Sequence, residues 1–156
     1  MIKIYLDTCC LNRPFDDQNQ DKIRLEAEAI ILIIYHLESF DWEWVSSEVI
    51  DYEINQTVDQ QKRFRVNLIS RYAHKVINLE KEILVRGKVL EKYGFRTYDA
   101  LHLACAEYGN CQIFLTTDEK LLKLSSRFSK KINLKVFNPL DWLKEVIKSE
   151  AKDDTE

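Results

Sequence analysis

The chain has little glycine and proline, with 3 Gly and 2 Pro in 156 residues. This scarcity argues against disorder, collagen-like repeats and a loop-dominated all-β fold. A long apolar run is also missing, because the longest one, residues 29–35, is far shorter than the about 20 residues that span a bilayer. The first residues carry no basic segment followed by an apolar one, so we expect no secretory signal and a cytoplasmic protein.

Cysteine is present without the spacing that binds metal. The 4 cysteines are Cys9, Cys10, Cys105 and Cys111, and none of them forms a Cys-x-x-Cys pair. This argues against a structural zinc site. Adjacent cysteines rarely bridge each other, so we expect reduced thiols, as in a cytosolic protein.

The chain also lacks a large excess of either positive or negative charge. The net charge is −3, and the acidic residues of 149–156 account for all of it. We therefore expect a single neutral domain over residues 1–148, followed by a disordered acidic tail over residues 149–156. A neutral body excludes a globally basic nucleic-acid binder but allows a local basic face, such as the lysines and arginines between residues 120 and 135.

Short apolar strands alternate with helical segments along the chain. The predicted strands are Ile2–Leu6, Glu43–Val45, Lys75–Leu79, Gln112–Thr116 and Leu134–Phe137. The predicted helices are Asp21–Ser39, 47–58, Gln60–Ala73, Glu80–Tyr93, Thr97–Tyr108, Asp118–Leu124 and Pro139–Lys148, and residues 12–20 are expected to form a loop. This order predicts βαβ units, a parallel sheet and helices on both of its faces, with ligands bound beyond the carboxyl ends of the strands.

Three aspartates stand at strand ends or helix starts. Asp7 follows the first strand, Asp118 follows the fourth, and Asp99 lies in the first turn of an apolar helix. Each has an ordinary explanation as a turn or capping residue. A parallel sheet nevertheless brings the first two to the same edge, and a buried Asp99 requires a cation, a donor or water.

A fourth acid comes from the helix that follows the second strand. Its apolar face turns Glu48 toward solvent and leaves Asp51 and Glu53 on opposite flanks at similar angles. Periodicity therefore does not choose between Asp51 and Glu53. Converging carboxylates repel one another unless a cation holds them, and hard oxygen ligands suit Mg²⁺ or Mn²⁺.

Four segments together resemble the PIN-domain ribonucleases, and in particular the single-domain toxins of the VapC type. They are Leu6–Thr8, Val49–Ile54, Tyr98–Ala104 and Leu115–Asp118, and the Asp-Ala-Leu-His-Leu-Ala and Thr-Thr-Asp stretches are the most specific of them. The resemblance covers about residues 2–138. It implies a three-layer α/β/α sandwich with a parallel sheet of about five strands.

The resemblance also implies an Mg²⁺- or Mn²⁺-dependent endoribonuclease, the toxin of a toxin–antitoxin pair, with one or two ions per site. By motif position the acidic quartet, which is both catalytic and metal-binding, consists of Asp7, Glu53, Asp99 and Asp118. Many members carry a small polar residue, often Asn, two positions after the first Asp. Cys9 stands there in this chain, and a thiol is a poor hydrogen-bond partner for water.

Other residues near the motifs are candidates for supporting roles. Thr8 and Thr117 are expected to bind metal-bound water or phosphate, or else to cap helices. Arg13 and Arg96 flank the motif loops and are candidates for phosphate contacts. His102 shares a helix face with Asp99, but an imidazole on an apolar helix is expected to pack in the core.

The expected partners are RNA, an antitoxin protein and a second copy of the chain. A homodimer is expected because the helix Asp21–Ser39 is apolar around most of its circumference. The alternative is that the helix Gln60–Ala73 covers it within the same chain. The alternative function is a non-catalytic binding module on the same fold.

Overall fold

A five-stranded parallel sheet forms the centre of the molecule in a computed structural model that describes residues 1–39 and 41–154. Its strands are β1 (Lys3–Leu6), β2 (Glu43–Ser47), β3 (Lys75–Ile77), β4 (Ile113–Leu115) and β5 (Lys135–Phe137). Their spatial order is β3-β2-β1-β4-β5, and every neighbouring pair is parallel. The predicted α/β fold class is confirmed.

The helices lie between and beyond the strands. They are α1 (Thr8–Asn12), α2 (Asp21–Glu38), α3 (Glu48–Asn55), α4 (Gln60–Ser70), α5 (Lys81–Lys92), α6 (Thr97–Tyr108), α7 (Glu119–Arg127) and α8 (Pro139–Asp154). Gly94, which follows the C-cap of α5, has a φ of 107°, the left-handed conformation that glycine adopts most readily. Among the described residues, no helix has both the length and the apolar character needed to cross a bilayer.

The central strand β1 is buried on both faces, as is typical of parallel sheets covered by helices. Ile4, Tyr5 and Leu6 all lie in the core, and Tyr5 pairs in register with Val45 of β2 and Phe114 of β4. The chain proceeds from β1 to β2 on one side, and later crosses to β4 on the other side. A crevice therefore opens beyond the carboxyl ends of β1 and β4, the usual ligand position in such sheets.

Two segments differ from the sequence-based expectation. Helix α1 begins directly after Asp7, and a short 3-10 helix, Arg13–Phe15, follows it where a loop was expected. At the other end, α8 continues to Asp154 instead of ending near Lys148, so residues 149–154 are helical where a disordered tail was expected. Residues 155–156 lie outside the described part of the chain. The single domain over residues 1–148 stays a prediction.

Helix α2 buries one side and exposes the other. Ile30 and Ile33 are fully buried, and the helix packs against α8 and the 3-10 helix. Ile31, Leu32 and Tyr35 remain exposed on its outer side. Helix α4, the alternative cover, packs against α1 and α3.

Candidate metal centre

Asp7 is fixed at the carboxyl end of β1 by contacts to both of its carboxylate oxygens. Its Oδ1 accepts from the backbone N–H of Thr8 at 2.8 Å, which makes Asp7 the N-cap of α1. Its Oδ2 accepts from the Thr116 hydroxyl at 2.8 Å and from the Cys9 thiol at 3.4 Å. The side chain is thus almost buried and held in one orientation before any ligand arrives.

Glu53 is the acid of α3 that faces Asp7. Its Oε1 accepts from the Thr8 hydroxyl at 2.8 Å and from Nε2 of His102. Asp51 is exposed, and Glu48 is exposed with its Oε2 accepting from the backbone N–H of Leu79 at 3.1 Å. The structure therefore places Glu53 at the cluster and turns Asp51 and Glu48 away from it.

His102 lies in the cluster rather than only in the core. Its side chain is fully buried, its Nδ1 is 2.6 Å from the Tyr5 hydroxyl, and its Nε2 is 3.7 Å from Oδ1 of Asp7. Sequence reasoning set this residue aside as a packing histidine. The signal that could have found it was its position three residues after Asp99, on the same face of α6.

The charges of this cluster shift one another's proton affinity. Burial raises the pKa of Glu53, but the hydrogen bonds from His102 and Thr8 outweigh it and hold the pKa below its ordinary value. Burial lowers the pKa of His102, but Glu53 and Asp7 outweigh it and raise the pKa overall. Glu53 and His102 thus stabilise each other's charged forms.

Asp99 approaches the same cluster from α6. Burial raises its pKa from 3.8 to about 6, with further contributions from the negative charges of Asp7 and Asp118, while His102 and Arg96 act in the opposite direction. Asp118 caps α7 by accepting from the N–H groups of Lys120 at 2.9 Å and Leu121 at 3.2 Å. Asp99 therefore lies within the electrostatic influence of two other members of the predicted quartet.

The donor set fits a divalent cation. Asp7, Glu53 and His102 each offer a ligand atom, and these atoms lie within 4.8 Å of one another. In the part of the chain that the structure describes, Asp99 and Asp118 do not belong to this group of atoms. Its two carboxylates are hard oxygen ligands, which suit Mg²⁺ or Mn²⁺. The pKa of Asp99 is raised first by burial and then by the negative charges of Asp7 and Asp118, and a bound cation would offset the second of these effects.

The threonines divide their roles differently from the expectation. Thr8 contacts Glu53 through its hydroxyl, as described above, and so supports an acid of the cluster. Thr117 is buried, and its backbone N–H donates to the Cys9 thiol at 3.3 Å. The hydroxyl that contacts Asp7 belongs to Thr116 and not to Thr117. The sequence does not show which of these two neighbouring threonines points toward Asp7.

The two arginines differ in their surroundings. Arg13 forms ion pairs with Asp16 and Glu26, each at 3.2 Å, so its guanidinium is engaged by carboxylates of the chain. Arg96 is exposed at the N-cap of α6, and its positive charge partly opposes the rise in the pKa of Asp99. Of the two, Arg96 is the better placed for a phosphate ligand.

The chain thus has a parallel α/β fold with, at the carboxyl edge of its sheet, a cluster of side chains that could hold a cation. It belongs to the PIN-domain family, whose model matches residues 4–126. This confirms the resemblance drawn from the four motifs. A search of curated proteins found no match.

Solved structures show the same fold at low sequence identity. FitAcB from Neisseria gonorrhoeae has a TM-score of 0.59 and 15% identity, over 87% of this chain and 97% of that chain. VapBC2 from Rickettsia felis, bound to a DNA fragment from its promoter, has a TM-score of 0.60 and 13% identity, over 88% and 98%. VapBC-1 from nontypeable Haemophilus influenzae has a TM-score of 0.56 and 14% identity, over 88% and 98%.

Proposed function

We propose that the protein is a Mg²⁺- or Mn²⁺-dependent endoribonuclease that acts in the cytoplasm as the toxin of a toxin–antitoxin pair. The observation that carries the proposal is the convergence of Asp7 and Glu53, with Asp99 close by, at the carboxyl edge of a PIN-domain sheet. Four carboxylates in the quartet match the formal charge of two divalent ions.

The chain's own residues would hold the metal and orient the RNA. Asp7 and Glu53 are already oriented by Thr116 and Thr8, so they present oxygens without rearrangement. A divalent ion bound there supplies an activated water and neutralises charge on the scissile phosphate. Arg96, exposed beside Asp99, would contact the phosphate on the open side.

A basic surface beside the cluster supports a nucleic-acid substrate. Helix α7 starts next to Asp118 and exposes Lys120, Lys123 and Arg127, whereas Lys130, Lys131 and Lys135 are exposed beyond its far end, toward the amino end of β5. Positive charges near an acidic centre attract the phosphate backbone and compensate the overall net charge of −3. Lys120, in the first turn of α7, is the residue of this set that follows Asp118 most closely, and we propose that it contacts RNA bound near the carboxylates.

The toxin role is supported by the structures that share the fold. They include VapBC2, VapBC-1 and a toxin–antitoxin complex from Klebsiella pneumoniae. We propose by analogy that this chain binds an antitoxin. A non-catalytic module on the same fold is the alternative, and it would not require the preserved carboxylate cluster.

Chelation distinguishes the enzyme from the module. We expect RNA cleavage in Mg²⁺ or Mn²⁺, complete loss with EDTA, and recovery when the metal is restored. The measurement is gel analysis of a single-stranded RNA, with products carrying 5′-phosphate and 3′-hydroxyl ends. The Asp99→Asn variant, purified identically, is the control for contaminating nucleases. Equal cleavage by this variant, or no cleavage by the wild type in either metal, contradicts the proposal.

The outer side of α2 suggests an assembly surface. Ile31, Leu32 and Tyr35 are exposed there, and monomers seldom leave contiguous apolar surface in water. We expect a homodimer in which this surface is buried, so light scattering at micromolar concentration should report about twice the chain mass. We expect Ile31→Glu to return the mass to that of a monomer, while Leu84→Glu, at an exposed position of α5, should not. A wild-type monomer contradicts the prediction.

A further inference from the structure

We propose that His102 is a positioning residue, which holds the Glu53 carboxylate in the orientation that binds the metal. This inference rests on the proposed function for its biological meaning, but it concerns metal binding, which is measured without RNA. His102 is fully buried, and its Nε2 contacts Oε1 of Glu53 directly. An ionised carboxylate only accepts hydrogen bonds, so Nε2–H is the donor.

A buried chain of hydroxyl groups fixes the imidazole from its other side. The Tyr5 hydroxyl lies 2.6 Å from Nδ1 of His102 and 2.7 Å from the hydroxyl of Ser47. Tyr5 and Ser47 are both fully buried. Because both ring nitrogens of His102 have partners, the ring has a single orientation in which each partner is satisfied.

The hydrogen-bonded network of Tyr5 and Ser47 ends at α3, the helix that carries Glu53. The Ser47 hydroxyl accepts from the N–H of Ile50 at 3.4 Å and is the N-cap of α3. Glu53 lies one and a half turns further along that helix. The position of α3 and the position of the Glu53 carboxylate are thus set by one connected network through Tyr5 and His102.

The same contacts indicate which oxygen is left for the metal. Thr8 and His102 both donate to Oε1 of Glu53. Within the described residues, Oε2 is therefore the oxygen left for a cation shared with Asp7. Groups that orient a metal ligand in this way typically change metal affinity by about 10- to 100-fold when they are removed.

The test is Mn²⁺ binding by the full chain, measured by calorimetry with the metal alone. We expect His102→Leu to weaken Mn²⁺ affinity by about 10- to 100-fold. His102→Gln, whose side-chain amide can still donate to Glu53 and contact the Tyr5 hydroxyl, should stay within about threefold of the wild type. If His102→Leu does not fold, Tyr5→Phe tests the same network and should weaken binding severalfold.

A double-mutant cycle separates positioning from direct ligation. If His102 acts through Glu53, His102→Leu should have no further effect on Mn²⁺ affinity in a Glu53→Gln background. An undiminished effect in that background would show that the imidazole binds the metal itself and would overturn the proposal. Leu103→Val is the control, since it trims a fully buried neighbour on α6 and should lower the unfolding free energy without changing Mn²⁺ affinity.

Two further outcomes are decisive. Unchanged Mn²⁺ affinity in folded His102→Leu, or absence of Mn²⁺ binding by the wild type, overturns the positioning role. If instead the expected affinity pattern is found while the wild type leaves RNA intact in Mg²⁺ and Mn²⁺, the positioning role stands and the proposed nuclease function fails.

Discussion

Asp7→Asn and Asp99→Asn should each lower metal-dependent RNA cleavage by about 100- to 1,000-fold, which corresponds to a loss of several kcal/mol of metal-derived stabilisation. Each substitution preserves the shape of the side chain while removing one negative charge and one anionic ligand. The measurement is the initial cleavage rate at a matched metal concentration. Asp17→Asn, an exposed acid in the loop before α2, is the matched control and should cleave at the wild-type rate.

The metal-free protein should respond to Asp99→Asn with the opposite sign. The pKa of Asp99, raised by burial and by Asp7 and Asp118, is about 6 instead of 3.8, so the ionised form costs stability above pH 6. After allowance for solvent screening, we expect a gain of about 1 kcal/mol in unfolding free energy at pH 7.5 in EDTA. The gain should shrink as the pH falls through 6 toward 4, because wild-type Asp99 then becomes neutral.

These two results are informative together. Loss of cleavage with an unchanged or more stable fold assigns the carboxylates to chemistry rather than to folding. Full cleavage by both variants would remove the catalytic assignment, and loss of cleavage that merely follows loss of folded protein would contradict it as well.

Glu53→Gln should impair cleavage far more than Glu48→Gln or Asp51→Asn. We expect a loss of about 100-fold for Glu53 and less than about twofold for the other two, since only the first removes an anionic metal ligand. The structure gives the reason: Glu53 contacts Thr8 and His102, whereas Glu48 and Asp51 are exposed. The measurement is the cleavage rate over a range of Mn²⁺ concentrations.

The three substitutions share one charge change and one short helix, so each serves as a control for the others. A larger effect at Glu48 would mean that the side of α3 facing the cluster has been misassigned. Comparable effects at Asp51 and Glu53 would mean that both flanks of the helix reach the metal or the RNA.

Sequence patterns predicted the sheet well because its strands are short, apolar and separated by helices. Strand β4 is an example: its short continuous apolar run is typical of a parallel strand covered on both faces, and Phe114 and Leu115 are fully buried. Periodicity could not separate Asp51 from Glu53, because both flank the apolar face of α3. What separates them is which flank of α3 faces the carboxyl end of β1, and that depends on the tertiary packing of α3.

The parts that sequence reasoning missed depend on individual side chains. Helix α1 is short and polar at its start, so it carries no periodic signal, and its formation depends on Asp7 as a cap. His102 lies in a helix that is apolar on nearly every side, which favoured a packing role. Only the three-dimensional positions of Tyr5 and Glu53 show that both of its nitrogens are engaged at the site.

Asp7 and Asp118 also cap helices α1 and α7, and this limits the mutational paths open to a gene encoding such a protein. Alanine at either position removes a cap worth about 1 kcal/mol together with the ligand, so an inactive descendant of that kind is also a less stable one. Asparagine caps a helix as well as aspartate does, and its codons differ from those of aspartate by a single base. A folded variant that keeps the helix cap but has lost the anionic side chain is thus one nucleotide change away from this sequence.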